Sequence, residues 1–167
     1  MKKYELQIIS GILSGILTFL ITFLITFYWQ IQGFTPFRAL LLSILSSFLY
    51  MIILIPTNII SVRKFLKNEI ITNGKAFRRY PLLIIFVSSL LAFLIFDTVF
   101  FLFDDSLSRD YLQFLNSVEP NPDLESTEEI LPMGLMNVFQ MLIFGLISIL
   151  ISLVFIKKKP VAINEKH

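Results

Sequence analysis

The sequence predicts an all-α polytopic membrane protein, a four-transmembrane-helix bundle with a short amphipathic helix in its outer loop. Composition is the first observation: 56% of the residues are hydrophobic and 16% are charged, whereas soluble domains carry about 25% charge. The second observation is four long apolar stretches, and the third is the confinement of nearly all basic residues to one side of them. We expect residues 1–167 to form a single membrane domain.

Each apolar stretch is long enough to cross a bilayer as a helix. A hydrocarbon core about 30 Å thick requires about 20 helical residues. An isolated strand would leave its backbone groups unpaired in lipid, so each span is predicted to be helical. The first stretch is too long for a signal peptide, and no small-x-small cleavage site follows Trp29. The predicted spans cover residues 6–29, 37–62, 80–103 and 131–156.

Basic residues predict the orientation. Of the 14 Lys and Arg residues, only Arg38 and Arg109 fall outside the N-terminus, the second connection and the C-terminus. Positive residues in short loops remain in the cytoplasm. The pattern therefore predicts two cytoplasmic termini, with a cytoplasmic loop at 63–79, an outer loop at 104–130 and a cytoplasmic tail at 157–167.

The cytoplasmic loop is polybasic. Lys and Arg beside an anionic leaflet gain about 1 kcal/mol each from the surface potential. We predict that the bilayer's anionic headgroups are contacted by Arg63, Lys64, Lys67, Lys75, Arg78 and Arg79. Aromatic residues do not interleave with these charges in a stacking pattern, which argues against nucleic acid as a partner.

The outer loop contains the predicted amphipathic helix. One helical face is formed by the apolar residues Leu107, Tyr111, Phe114, Leu115 and Val118. Asp105 or Ser106 is placed to cap its start. Two positions suit such a helix: flat on the outer membrane surface, or folded over the end of the bundle.

The residue inventory excludes several kinds of chemistry. The chain has no cysteine, and its single histidine is the last residue, His167. The chain therefore lacks the residues that a thiol nucleophile, a histidine triad or a zinc site would require. The outer loop is acidic, but it lacks the Asp-x-Asp-x-Asp-Gly spacing of a calcium loop. We expect no catalytic residues, no metal and no cofactor.

Small and hydroxyl residues form a stripe along the first span. They recur every fourth position, which places them on one helix face. We predict a helix-packing seam at Ser10, Gly11, Ser14, Gly15 and Thr18. Small residues allow close approach of two backbones, either within the chain or between copies. A hydroxyl-lined permeation path is the alternative interpretation.

Asp97 is the ionisable residue that lies well inside a span. A charge at mid-bilayer costs about 3 kcal/mol on insertion scales, so we expect a polar partner across the bundle. The predicted intramembrane cluster joins Asp97 to one or more of Asn137, Gln140, Thr22 and Thr26. Two roles remain open: a polar contact between helices, or a proton or cation site.

A short motif in the cytoplasmic loop carries a family resemblance. After Arg63 and eight intervening residues comes Thr-Asn-Gly-Lys-Ala-Phe, residues 72–77. The chain resembles an uncharacterised family of small bacterial four-helix membrane proteins. In that family a Tyr-Arg pair after helix two precedes an Ile-Ser-Phe-Gly-Lys-Ala-Phe segment. Val62 replaces the tyrosine and Asn73 the phenylalanine, and the usual Gly-Gly is absent. The resemblance implies the bacterial cytoplasmic (inner) membrane, but no activity.

Three classes of function follow from these features. The first is a non-catalytic interaction or accessory protein that pairs with itself or with another membrane protein. The second is a small transporter or channel subunit that uses Asp97 and the hydroxyl stripe. The third, a membrane enzyme, requires a nucleophile–base pair or a metal cluster, for which the sequence offers no candidates. The first class is the one that we expect.

Overall fold

A computed structural model describes residues 4–68, 76–118 and 130–156. Within these ranges the chain is helical and forms no strand, which confirms the predicted all-α class. The helices are α1 (Glu5–Gln32), α2 (Pro36–Asn68), α3 (Ala76–Phe103), α4 (Ser106–Val118), α5 (Met133–Met136) and α6 (Val138–Phe155).

Four of the described helices are long and apolar enough to cross a membrane, as the sequence predicts. Their apolar segments are Glu5–Gln32, Ile44–Phe65, Tyr80–Phe103 and Val138–Phe155. Large apolar side chains remain exposed on every one of them, for example Leu13, Ile60, Leu102 and Val154. Such exposure is expected where lipid rather than water surrounds the bundle.

The fourth span differs from the prediction, because 131–156 is not one continuous helix. Asn137 separates α5 from α6, with φ −100° and ψ 3°. Its backbone N–H donates to the carbonyl of Gly134, three residues back. Its side-chain amide donates instead to the carbonyl of Met133 at 3.2 Å. An Asn side chain competes in this way with regular helix bonding, so the chain turns tightly before α6 begins.

The four long helices close into a bundle. Contacts join α1 to both α2 and α3, α2 to α6, and α3 to both α5 and α6. One end of this bundle carries α4 and α5, and we call it the α4 end. The first residues of α1 and the last residues of α2 and α6 meet at the opposite end, where Gln7 donates to Ser61 and Arg63 donates to the carbonyl of Phe155.

The core below the α4 end contains a large apolar cluster, beside the buried polar residues Gln7, Asn58, Ser61, Ser89, Ser148 and Ser152. Tyr50, Leu54, Leu82 and Ile85 are fully buried within it. The remaining members of this buried cluster are Phe19, Val62, Phe86, Phe93, Met141 and Ile156. The half of the bundle away from α4 is therefore filled by side chains.

The turn between α1 and α2 shows why the first two helices begin and end where they do. Gly33 has a φ of +78°, a value that L side chains rarely adopt, and it ends α1. Arg38 donates to the carbonyls of Gln32 and Gly33, at 3.0 and 2.8 Å. The Thr35 hydroxyl accepts from the N–H of Arg38, and Pro36 occupies the first helical position of α2.

The amphipathic helix α4 folds over the end of the bundle. Its Leu107 and Tyr111 are buried against a cluster that includes Leu42 and Met133. The ring of Phe34 meets that of Tyr111 at 5.6 Å. Gln30 donates to the Asp110 carboxylate at 2.6 Å. Of the two positions that the sequence left open, the structure therefore shows the one over the bundle.

Asp104 caps the start of α4, although the sequence pointed to Asp105 or Ser106. Its carboxylate accepts from the N–H of Ser106 at 2.9 Å. This bond to the charged form lowers the pKa of Asp104 below its ordinary value. Asp105 instead pairs with Arg109, one helical turn later.

The cap predicts a pH dependence for α4. A lowered pKa in the folded state stabilises the start of α4 above the ordinary Asp pKa of about 3.9, and this stabilisation is lost as the pH falls through the lower folded value. We expect Asp104→Ala to accelerate amide hydrogen exchange at the start of α4 at neutral pH. Asp104→Asn keeps a capping oxygen and is the control, and it should retain protection without the acid dependence. Equal exchange in both variants would contradict the capping role.

Candidate functional site

A cavity opens inside the bundle at the α4 end, and we call it the Asp97 pocket. Its mouth is open, and the space inside it together with the open solvent at its mouth measures about 580 Å³. Helices α1, α2, α3 and α6 form its walls, and Leu107 and Ser108 of α4 form its roof. Its polar lining residues are Thr22, Thr26, Ser46, Asp97, Asp104, Ser108 and Asn137. Its aromatic lining residues are Phe19, Phe23, Phe93, Phe100 and Phe101.

Asp97 is held by a backbone donor on α5. One of its carboxylate oxygens, Oδ2, accepts from the N–H of Gly134 at 2.7 Å. The hydrogen bond that the structure gives Asp97 is therefore to a backbone N–H, and not to a side chain of Asn137, Gln140, Thr22 or Thr26. The break at Asn137 is the physical reason, because it creates the separate turn α5 and brings the N–H of Gly134 to the carboxylate.

Gly134 allows that contact because it has no side chain. A Cβ on Gly134 would lie 2.7 Å from Asp97 Oδ2 and 2.6 Å from the ring of Phe93. Both distances are far below van der Waals contact, so any other residue would push the carboxylate or the ring away. Close approach of backbone to an interacting group is a common use of glycine.

The four predicted partners of Asp97 divide into two groups. Asn137, Thr22 and Thr26 line the same pocket as Asp97, so the structure brings them to one site. Thr26 donates to the carbonyl of Thr22, whereas the buried Thr22 hydroxyl oxygen has no partner among the described residues. Gln140 instead accepts from the Ser47 hydroxyl of α2 at 3.2 Å, away from the pocket lining.

The predicted packing seam of α1 lies against α3. A Cβ on Gly15 would meet the backbone oxygen of Ser89 at 2.2 Å, and one on Gly11 would meet that of Ile85 at 2.6 Å. The backbones of α1 and α3 thus touch within one chain. The hydroxyls of Ser14 and Thr18 donate to carbonyls of their own helix, those of Ser10 and Ser14, at 2.8 Å.

The predicted lipid-contacting residues are only partly described. Arg63 is exposed and donates to the carbonyl of Phe155 at the end of α6, at 3.2 Å. Lys64 is exposed beside it. Lys75 and the tail 157–167 lie outside the described residues, as do the side chains of Lys67, Arg78 and Arg79. Headgroup contact therefore stays a prediction.

The charges of the pocket have one sign. Asp97 lies inside it, and the exposed Asp104 lies at its mouth, whereas no Lys, Arg or His of the described ranges lines it. The lowered pKa of Asp104 keeps this rim carboxylate ionised at neutral pH. An excess of negative charge in a concave site raises the local concentration of cations.

Sequence reasoning missed several residues of the pocket. Gly134, Ser46 and Ser108 carried no signal, because each reaches the pocket only through the packing of its helix. The aromatic wall was also missed, since phenylalanine is common throughout the spans. Its rings are mutually packed: those of Phe23 and Phe100 meet edge to face at 4.4 Å.

Comparison with known proteins adds no assignment. No family model, curated protein or solved structure matches this chain. The resemblance of its cytoplasmic loop to a family of small bacterial membrane proteins therefore stays a prediction.

Proposed function

We propose that this chain is a non-catalytic interaction protein of the bacterial cytoplasmic membrane that binds a small ligand from the outer side in the Asp97 pocket. The observation that carries the proposal is a cavity built around an in-span carboxylate. Basic residues at the opposite end of the bundle, such as Arg63 and Lys64, support a cytoplasmic position for both termini. The α4 end, with the pocket, then faces outward.

An accessory role fits the position of α4. Leu107 and Ser108 line the pocket, whereas the other face of the same helix carries exposed residues such as Arg109 and Gln113. A ligand in the pocket would change the contacts of the roof. A membrane protein partner, or a second copy of the chain, would then sense occupancy through the exposed face of α4.

Transport is the second candidate, favoured by the position of Asp97 in a cavity within the span. Two observations favour binding over conduction. Below the pocket, Tyr50, Leu54 and Ile85 are fully buried in a packed core. The seam hydroxyls of Ser14 and Thr18 are bonded to carbonyls of their own helix, Ser14 also to the Thr57 hydroxyl of α2, and neither residue lines the pocket. Cation uptake into proteoliposomes that Asp97→Asn abolishes would favour transport.

Cysteine labelling tests the outward-facing pocket. The chain has no cysteine, so single-cysteine variants give no background. We expect a membrane-impermeant maleimide, added to intact cells, to label Ser46→Cys and Ser108→Cys faster than a fully buried position, because both line the pocket although they are only 6% and 5% exposed. Ser148→Cys is the matched control, because Ser148 is fully buried in α6 and lies away from the pocket lining.

Each result of that labelling has a defined meaning. A reaction at Ser46→Cys and Ser108→Cys that is faster than the reaction at Ser148→Cys supports an outward-facing pocket. Labelling of the two pocket positions only after the cells are permeabilised would reverse the proposed orientation. Equal rates at all three positions would contradict the pocket itself.

A further inference from the structure

We propose that the ligand of the Asp97 pocket is an organic cation, an ammonium group attached to an apolar body. This inference rests on the proposed function and assigns the chemical class of its ligand. It is carried by the combination of carboxylates and aromatic side chains in the lining of the pocket.

The charge of the pocket selects a cation. Asp97 and Asp104 contribute two carboxylates, and in the part of the chain that the structure describes no basic residue lines the cavity to neutralise them. Gly134 satisfies one oxygen of Asp97 with a neutral backbone donor, which fixes the carboxylate in position without cancelling its charge. An anion would meet repulsion here, and a neutral ligand would leave the carboxylate without a counter-charge.

The walls of the pocket select an organic cation over a metal ion. Five phenylalanines line it, together with Leu42 and Met141. Ca²⁺ requires about 6–8 oxygen ligands, but no group of three His, Cys, Asp or Glu side chains in the described ranges lies close enough to hold a metal. Aromatic faces instead attract ammonium groups within about 6 Å of the ring centroid.

Protection of a pocket cysteine tests the inference. The full-length Ser108→Cys chain in detergent is reacted with a neutral maleimide at increasing concentrations of benzyltrimethylammonium, and Ser46→Cys serves as a second reporter. We expect the cation to slow labelling at both positions. Neopentylbenzene, the neutral isostere in which carbon replaces nitrogen, should protect far less.

Asp97→Asn supplies the matched control. Its amide oxygen can still accept from Gly134, so the fold should be kept while the charge is removed. We expect the protecting concentration of benzyltrimethylammonium to rise about tenfold or more, and a tenfold change corresponds to about 1.4 kcal/mol.

The outcomes separate this inference from the proposed function. Equal protection by the neutral isostere, or unchanged protection in Asp97→Asn, would overturn the cation but leave a ligand pocket. Labelling that neither compound slows would also overturn the cation inference. The proposed function is tested separately: if Ser46→Cys and Ser108→Cys are not labelled from the outer side of intact cells, the outward-facing pocket is contradicted.

Discussion

Replacing Gly15 by leucine is expected to destabilise the bundle strongly. Even a Cβ at this position would lie 2.2 Å from the backbone oxygen of Ser89 and 3.0 Å from the backbone nitrogen of Phe93. Backbone atoms of a packed helix cannot move aside as the tip of a side chain can, so α1 and α3 would have to separate. Overpacking typically costs about 1–3 kcal/mol and occasionally more, and we expect the upper end of this range.

Thermal unfolding in detergent, followed by circular dichroism, measures the effect. A loss of about 3 kcal/mol corresponds to about 6–12 °C in Tm for a chain of this size. Leu13→Phe is the matched control, because Leu13 is 61% exposed on the lipid-facing side of the same helix. It adds volume without touching α3 and should leave Tm nearly unchanged. A similar Tm for Gly15→Leu and Leu13→Phe would contradict the close packing of α1 on α3.

Replacing Asp97 by leucine is expected to release the amide of Gly134. The carboxylate is the acceptor for that N–H at 2.7 Å, and leucine has no acceptor to replace it. Leaving a buried donor unpaired costs about 1–3 kcal/mol, which corresponds to about a 5- to 150-fold change in an opening equilibrium. We therefore expect amide hydrogen exchange at Gly134 to accelerate by a factor in that range.

Asp97→Asn separates the hydrogen bond from the charge. Its side-chain oxygen accepts in place of the carboxylate, so exchange at Gly134 should remain close to that of the unmodified chain. The Ser148 amide, deep in α6, should be unaffected in both variants. Equal acceleration in the Leu and Asn variants would show that charge, and not the acceptor, holds α5 in position.

Much of the fold could be predicted from the sequence, because lipid imposes simple rules. A span must be helical and about 20 residues long, so apolar length alone located the four crossings. The amphipathic helix was visible for a similar reason, since Leu107, Tyr111 and Phe114 recur with helical period. Its position over the bundle depends on contacts with Phe34 and Gln30, which are distant in sequence. The periodicity of the helix could therefore not predict that position.

The candidate site was only partly predictable. Asp97 stood out because a carboxylate in a span is costly and requires a partner. Its partner proved to be the backbone N–H of Gly134, and every residue other than proline carries such a donor, so residue type gives no signal for it. The cavity also depends on how α4 covers the ends of α1, α2 and α3, a tertiary arrangement that local patterns do not encode.

The most direct test of an outward-facing carboxylate pocket compares two thiol reagents of opposite charge on Ser108→Cys in intact cells. The cationic trimethylammonioethyl and the anionic sulfonatoethyl methanethiosulfonates are both membrane-impermeant, and each rate is normalised to that of a free thiol. We predict that the cationic reagent reacts faster, and that Asp97→Asn reduces this preference. Absence of reaction with either reagent, or the same charge preference in Asp97→Asn, would contradict the role of Asp97 in an outward-facing pocket.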